Sequence, residues 1–136
     1  MKSFISIISI FIVLNAHSAS LDNFISAIGK VESNNNPKAV GDNGKSLGIY
    51  QIQLAYFKDV KIYDKRIKFD YQSLTNKNNS KKILIAYLNK WEPLAVKKGD
   101  WQTLAKAHNG GNNWRNKTGQ AKAKVQKYWL KVKNNL

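Results

Sequence analysis

Apolar residues recur at helical spacing along most of this chain, and this period restricts the fold more than any other feature of the sequence. A first segment with this spacing runs from Leu21 to Val31, where Ser20 or Asp22 is placed to cap the start of a helix. Three asparagines and Pro37 follow, and they end the helix because proline disfavours the helical conformation of its predecessor. The apolar face of this helix is available to build a core.

The same signal predicts four further helices. They cover residues 51–60, a segment that begins at Asn79 or Ser80 and ends at Pro93, residues 101–107 behind the capping residue Asp100, and roughly 120–132. Residues 61–79 lack a clean period, which indicates a loop with a helical turn. Residues 40–48 contain three glycines and fit either a long loop or a short hairpin. The predicted fold class is mainly α, with about five helices and an irregular loop or small hairpin after the first helix.

The N-terminal residues have the order of a secretory signal peptide. Lys2 precedes an apolar stretch at 4–14, and small residues follow at 16–20. A membrane anchor is the alternative, but the stretch is well short of the roughly 20 apolar residues that a spanning helix needs. We therefore expect a signal peptide at 1–19 and one exported domain at 20–136, with no transmembrane segment in the mature chain.

The chain contains no cysteine, which excludes disulfides, thiolate catalysis and cysteine-based metal sites. His17 falls in the predicted signal peptide, so His108 is the only histidine of the mature chain. A single histidine argues against a histidine-cluster metal site and against a serine–histidine triad. The sequence therefore implies no metal and no organic cofactor, and aromatic side chains must supply much of the core. The largest candidates are Tyr87, Trp91, Trp101, Tyr128 and Trp129.

The formal net charge is +15, from 23 Lys and Arg residues against eight Asp and Glu residues. A surplus of this size favours an anionic partner, which is nucleic acid, an anionic membrane or an anionic cell-wall polymer. The alternative is an AT-rich coding sequence that fills solvated positions with lysine and asparagine. Predicted export disfavours nucleic acid, so we expect the last helix to present a solvated lysine face that also holds wall polymer. These lysines are Lys122, Lys124, Lys127, Lys131 and Lys133.

Glu32 stands at the end of the first helical pattern, and the only other glutamate is Glu92. A carboxyl on the last turn of a helix meets the negative end of the helix dipole, and apolar neighbours desolvate it. Both effects favour its protonated form. Cleavage of a glycosidic bond needs such a general acid. On position alone, the alternative is a helix-end carboxylate paired with a lysine.

The residues around Glu32 carry a more specific signal. They are Val31-Glu32-Ser33, Asn36-Pro37-Lys38-Ala39-Val40, Ser46-Leu47-Gly48-Ile49-Tyr50-Gln51-Ile52-Gln53 and Tyr56-Phe57-Lys58-Asp59. In order and spacing this set resembles the catalytic half of the lysozyme-like superfamily. It is similar to the SLT domains of bacterial lytic transglycosylases, which carry Glu-Ser and Gly-x-x-Gln-Ile elements, and to the invertebrate-type lysozymes.

A second matching segment lies near the end of the chain. His108-Asn109-Gly110-Gly111 is similar to the His-Asn-Gly-Gly segment of the invertebrate type, and it stands where transglycosylases carry Tyr-Asn-x-Gly. The resemblance spans about 24–129 and implies a lysozyme-like fold. It also implies a secreted muramidase that cleaves the β-1,4 bond between N-acetylmuramic acid and N-acetylglucosamine in peptidoglycan. Invertebrate-type lysozymes are dense in disulfides, so a cysteine-free chain fits a bacterial secreted protein better.

Carried over residue by residue, the resemblance makes Glu32 the catalytic acid. Asp42 is the nearest match to the aspartate nucleophile of the invertebrate type, whereas transglycosylases need no second carboxylate because the substrate's acetamido group attacks. Asp42 therefore decides between a hydrolase and a transglycosylase, and the sequence leaves both open. Asp59 also matches a family position, and we expect a structural role for it. The predicted sugar-binding set is Ser46, Gly48, Tyr50, Gln51, Tyr56, His108, Asn109, Gly110 and Trp114.

Two members of this set have plain alternatives. Trp114 follows a loop of glycines and asparagines, where its indole either stacks on a sugar or folds over the edge of the domain. His108 is either a general base or part of a packed polar network that orients a turn.

Two rival functions stay open. One is a cationic envelope-binding or antimicrobial protein without catalysis, and the other is an adaptor that grips peptidoglycan without cleaving it. We expect a monomer located in the periplasm or outside the cell.

Overall fold

Helices dominate the structure, a computed structural model that describes residues 19–136. Within these residues there are six α-helices and one small sheet, which confirms the mainly α fold class. The helices are α1 (Leu21–Ser33), α2 (Leu54–Tyr63), α3 (Lys77–Trp91), α4 (Pro93–Lys98), α5 (Trp101–Gly110) and α6 (Gly119–Lys133). The predicted signal peptide, except for its last residue, lies outside the described residues.

Helix α1 has a cap at each end. The Ser20 side chain accepts a hydrogen bond from the backbone N–H of Asn23 at 3.2 Å, which satisfies one of the free donors of the first turn. Asn34 takes a left-handed conformation with φ of 54°, and its backbone N–H closes the last turn. This stop fixes Glu32 on the final turn of the helix.

The segment after α1 is a small antiparallel sheet. Of the two alternatives for residues 40–48, a long loop or a short hairpin, the hairpin is therefore correct. Leu47 pairs with Val40 on one side and with Ile52 on the other. Gly48 has φ of +78°, and a Cβ there would lie 2.2 Å from the carbonyl oxygen of Leu74. The hairpin therefore packs directly on the 3-10 turn that contains Leu74. The strands are β1 (Val40–Gly41), β2 (Ser46–Leu47) and β3 (Ile52–Gln53).

The start of α3 corrects the sequence prediction. Asn76 is the capping residue, because its side chain accepts hydrogen bonds from the backbone N–H groups of Asn78 and Asn79. Ser80 is instead buried and donates to a backbone carbonyl of the preceding 3-10 turn. The predicted stop at Pro93 is also the start of a short extra helix, α4, since a proline ring suits the first helical position.

The core cluster draws on α1, α3 and α5. Trp101 stacks on Phe24 with ring centroids 5.2 Å apart. Trp91, expected in the core, is exposed instead, and its indole N–H donates to Asp59 at 2.8 Å. No helix within residues 19–136 combines the length and the apolar character needed to cross a bilayer. The fully buried side chains of these helices include Phe24, Ile28, Ile83, Leu84 and Leu104.

Candidate active site

An open groove of about 500 Å³ lies beside the last turn of α1. This volume is within the range of ligand-binding clefts, and three carboxylates face it. The lining residues are Glu32, Asp42, Gln51 and Gln53, then Ala55, Tyr56 and Asp59 of α2, Tyr87 of α3, residues 108–112, and Lys124 of α6. The fold thus brings the two sequence segments that carry the family resemblance together around one space.

Glu32 reaches the groove from α1 with 19% of its side chain exposed. Its Oε1 atom lies 3.3 Å from Nε2 of His108. The next residue, Ser33, donates a hydrogen bond to the carbonyl of Ile49 at 2.8 Å, which ties the end of α1 to the hairpin. No Lys or Arg nitrogen of the described residues lies within 4.0 Å of the Glu32 carboxyl, so the lysine pairing that the sequence allowed does not form.

His108 sits between Glu32 and Tyr56, with only 4% of its side chain exposed. Its Nδ1 atom lies 3.1 Å from the hydroxyl of Tyr56. The Tyr56 ring stacks on Tyr87 with centroids 3.7 Å apart and planes inclined by 17°. Helices α1, α2, α3 and α5 therefore each contribute one member to a connected row of polar and aromatic side chains.

Two tyrosine hydroxyls, that of Tyr56 within this row and that of Tyr128 beside it, stay protonated at any physiological pH. Burial first, and then the neighbouring groups Tyr87, Glu32 and Asp59, raise the pKa of Tyr56 well above its usual value. Burial first, and then the charge of Glu32 and a hydrogen bond with its carboxyl, raise the pKa of Tyr128 in the same way. The Tyr128 hydroxyl is buried and faces this carboxyl.

Asp42 lines the groove on the hairpin side. Its backbone is left-handed, with φ of 51°, and its Oδ2 atom accepts a hydrogen bond from the hydroxyl of Ser46 at 2.5 Å. Ser46 itself is 1% exposed, so it supports the turn from behind rather than facing the groove.

The position of Gln51 in the groove depends on its left-handed backbone and on contacts with Gly48 and Gly41. It is a non-glycine residue with φ of 49°, a conformation that costs free energy and is frequent at functional sites. Its side-chain amide donates to the carbonyl of Gly48 at 3.0 Å. A Cβ at Gly41 would lie 2.0 Å from the Gln51 Oε1 atom, so glycine there makes room for this side chain.

The third carboxylate, Asp59, has two donors of its own. Lys90 Nζ lies 2.6 Å from one oxygen and the Trp91 indole N–H donates to the other at 2.8 Å. These contacts join α2 to α3 and agree with the structural role expected for this residue.

Three members of the predicted sugar-binding set lie behind the groove rather than in its wall. Tyr50 is 1% exposed and belongs to the core. Gly48 and Ser46 are also buried. They shape the hairpin that carries Gln51, so their influence on the groove is indirect.

Trp114 lies at a different place from the groove. Its indole N–H donates to Oε1 of Glu92 at 3.0 Å, and the Arg115 guanidinium stacks 4.4 Å from the ring centroid. Its Cβ packs against Gly110. Of the two alternatives for this indole, the structure has the ring folded over the edge of the domain, where it backs the Asn109–Gly110 turn.

Sequence reasoning missed several groove residues. Tyr87 and Tyr128 carry a helical apolar signal that predicts core, and they are buried, yet one lines the groove and the other approaches Glu32. Lys124, which the sequence places on a solvated face, is exposed and also lines the groove. Gln53 and Asn112 have no distinguishing pattern, so only the fold reveals them.

Within the described part of the chain, the arrangement offers two carboxyls without a lysine or arginine partner, Glu32 and Asp42, in a groove with polar walls, and of these Glu32 is the one that lies on a helix end beside His108. Among the described residues no group of three or more His, Cys, Asp or Glu side chains is placed to hold a metal ion. Such a site suits acid–base chemistry on a polar, extended substrate.

The family model for the transglycosylase SLT domain matches residues 9–130. No curated protein and no solved structure matches the chain significantly. The chain belongs to the transglycosylase SLT domain family, whose members are lytic transglycosylases that act on peptidoglycan.

Proposed function

We propose that this protein is an exported lytic transglycosylase in which Glu32 is the general acid for cleavage of the bond between N-acetylmuramic acid and N-acetylglucosamine. The observation that carries the proposal is the position of Glu32. It is the groove carboxyl that has neither the ammonium partner of Asp59 nor the buried hydroxyl donor of Asp42. A proton on this carboxyl is therefore available to a glycan strand in the groove.

The reaction follows from the substrate's own groups and one carboxyl. Glu32 gives its proton to the glycosidic oxygen as the C–O bond breaks, and the acetamido oxygen of the muramic acid residue bonds to the anomeric carbon. The Glu32 carboxylate then removes the proton from the sugar's 6-hydroxyl. That oxygen displaces the acetamido group and closes a 1,6-anhydro ring. Glu32 is protonated again, and no water is consumed.

Asp42 takes no covalent part in this scheme. Its carboxylate is engaged by Ser46 and it holds the hairpin turn, while the acetamido group supplies the nucleophile. Export is supported by the signal-like order of the N-terminal residues and by the location of peptidoglycan outside the cytoplasm.

The test is digestion of purified sacculi, followed by mass analysis of the soluble muropeptides. The parent protein should release fragments with 1,6-anhydro ends, which are lighter by one water than the reducing ends of a hydrolase. Glu32→Gln should lower the rate by at least about 1000-fold while the protein stays folded. Asp22→Asn is the control, because it makes the same acid-to-amide change at a side chain that is 80% exposed and lies outside the groove, and it should retain activity. Lysis by purified Glu32→Gln, or reducing ends alone, would refute the proposal.

A further inference from the structure

Both ring nitrogens of His108 are already engaged by protein groups. Nε2 faces Glu32 Oε1 at 3.3 Å and Nδ1 faces the Tyr56 hydroxyl at 3.1 Å. With 4% of the side chain exposed, no ring nitrogen is left for a sugar. We propose that His108 is a positioning residue, which orients the Glu32 carboxyl by a hydrogen bond, and that Tyr56 fixes the tautomer of His108 that makes this bond. The inference rests on the proposed role of Glu32.

The direction of each hydrogen bond follows from the order of the groups. Tyr56 keeps its proton, so in the resting state its O–H donates to Nδ1 of His108. The neutral imidazole then carries its hydrogen on Nε2. Nε2 lies 3.3 Å from Oε1 of Glu32, and on this inference its N–H is the donor to the carboxylate.

The same row accepts the proton that catalysis needs. When Glu32 is protonated, its hydrogen sits on the other carboxyl oxygen, Oε2, and the Nε2–H of His108 still donates to Oε1. The row has gained one proton in total, and it sits on the Glu32 carboxyl, on the oxygen that does not face His108. His108 thus has a hydrogen bond with Glu32 in both states, so the carboxyl keeps its orientation before and after proton transfer.

Rigid neighbours on three helices hold His108 in this place. Tyr56 is fixed by its stack on Tyr87, and the ring of Tyr128 lies 6.2 Å from the imidazole on the α6 side. The titratable groups that face His108 are Glu32 from α1, Tyr56 from α2 and Tyr128 from α6. Misplacement of a reacting group by about 1 Å costs on the order of 100-fold in rate. Loss of this support should therefore lower kcat by a measurable factor.

The experiment measures kcat and KM on soluble glycan strands for His108→Ala, His108→Gln and Tyr56→Phe. We expect His108→Ala to lower kcat roughly 10- to 100-fold with KM within about twofold of the parent. His108→Gln should recover part of the loss, because its amide N–H replaces the Nε2 donor. Tyr56→Phe should lower kcat less than His108→Ala, since the donor to Glu32 survives. Thermal unfolding of each variant shows whether the fold is kept.

A second measurement separates positioning from sugar binding without relying on turnover. Intact strands are bound to Glu32→Gln and to the double variant Glu32→Gln/His108→Ala, and a positioning role predicts equal Kd values. A rise in KM and Kd with kcat unchanged would instead make His108 a sugar-binding residue and overturn the inference. Full kcat in His108→Ala beside an inactive Glu32→Gln would refute this inference alone. An active Glu32→Gln would refute the proposed acid.

Discussion

At the scale of single residues, Asp42 faces the groove while its carboxylate is bonded within its own turn, and the proposed mechanism gives it no covalent role. Its left-handed backbone is tolerated by aspartate and asparagine better than by other side chains. The hydrogen bond from buried Ser46 occupies Oδ2, and the residue is exposed. A nucleophile needs a desolvated, free oxygen aimed at the anomeric carbon, whereas this carboxylate is tied to its own turn.

Asp42→Asn should therefore retain activity within about tenfold of the parent, since asparagine keeps both the left-handed backbone and an acceptor for Ser46. The initial rate of muropeptide release and the proportion of 1,6-anhydro ends measure the effect. Asp42→Ala is the companion variant, and it should lose more activity because it strains the turn and leaves Ser46 unpaired. A loss of several orders of magnitude in Asp42→Asn would place this carboxylate in the chemistry.

The residues of the hairpin show what sequence reasoning can reach. The segment was recognised from its residue types and spacing, and Gln51 does line the groove. Tyr50, predicted beside it in the same role, is in the core. Both residues lie in the turn between β2 and β3, where Gln51 has a left-handed φ, so no strand or helix period indicates which of the two faces the groove. A backbone deviation of this kind leaves no mark in apolar periodicity.

At the scale of secondary-structure elements, Glu92 links the α3–α4 junction to the 3-10 turn after α5. It lies at the junction of α3 and α4 and accepts hydrogen bonds from Arg115 and Trp114 of the 3-10 turn after α5. Burial alone would raise the pKa of Glu92, but these hydrogen bonds outweigh that effect and lower it. These contacts of Glu92 support the loop that carries Gly110 and Gly111 into the groove.

A lowered carboxyl pKa gives the pH dependence a definite sign. Glu92 stabilises the fold above its unfolded value, near 4.5, and this contribution disappears as the pH falls through the lower folded value. Glu92→Gln should therefore be less stable than the parent at pH 7 by roughly 1–3 kcal/mol. The difference should shrink below about pH 4.5. Urea unfolding at pH 7 and pH 3 measures both numbers, and an equal difference at the two values would contradict the assignment.

Element boundaries were predicted least well where capping competes with burial. A run of polar residues at 75–82 spans the start of α3, and the sequence does not show that Asn76 supplies the cap while Ser80 is buried. Pro93 was predicted as a stop, and it is equally suited to the first position of a new helix. At Ser80 burial against the preceding 3-10 turn, and not capping preference, decides the outcome.

At the scale of the whole molecule, positive charge is unevenly distributed along the chain. All eight acidic residues lie between Asp22 and Asp100, whereas residues 101–136 contain eight Lys and Arg residues and no Asp or Glu. Helix α6 carries five of these lysines, and all five are exposed. Exposed charges of one sign attract an anionic surface over roughly a Debye length, about 10 Å at 0.1 M salt.

This asymmetry predicts where the protein holds the cell wall. The triple variant Lys127→Gln, Lys131→Gln and Lys133→Gln should bind sacculi that carry anionic polymer more weakly, and salt should weaken its binding less than that of the parent. The matched control is Lys38→Gln, Lys77→Gln and Lys98→Gln, which removes three exposed charges scattered over other elements. Cosedimentation with sacculi over a salt series, before and after extraction of the polymer, measures the effect. If the two triple variants lose binding equally, net charge alone is responsible and α6 is no docking face. If only the α6 variant loses binding, and only while the polymer is present, the α6 surface is specific for that polymer. Cleavage of soluble strands by this variant should remain unchanged, because none of the three lysines lines the groove.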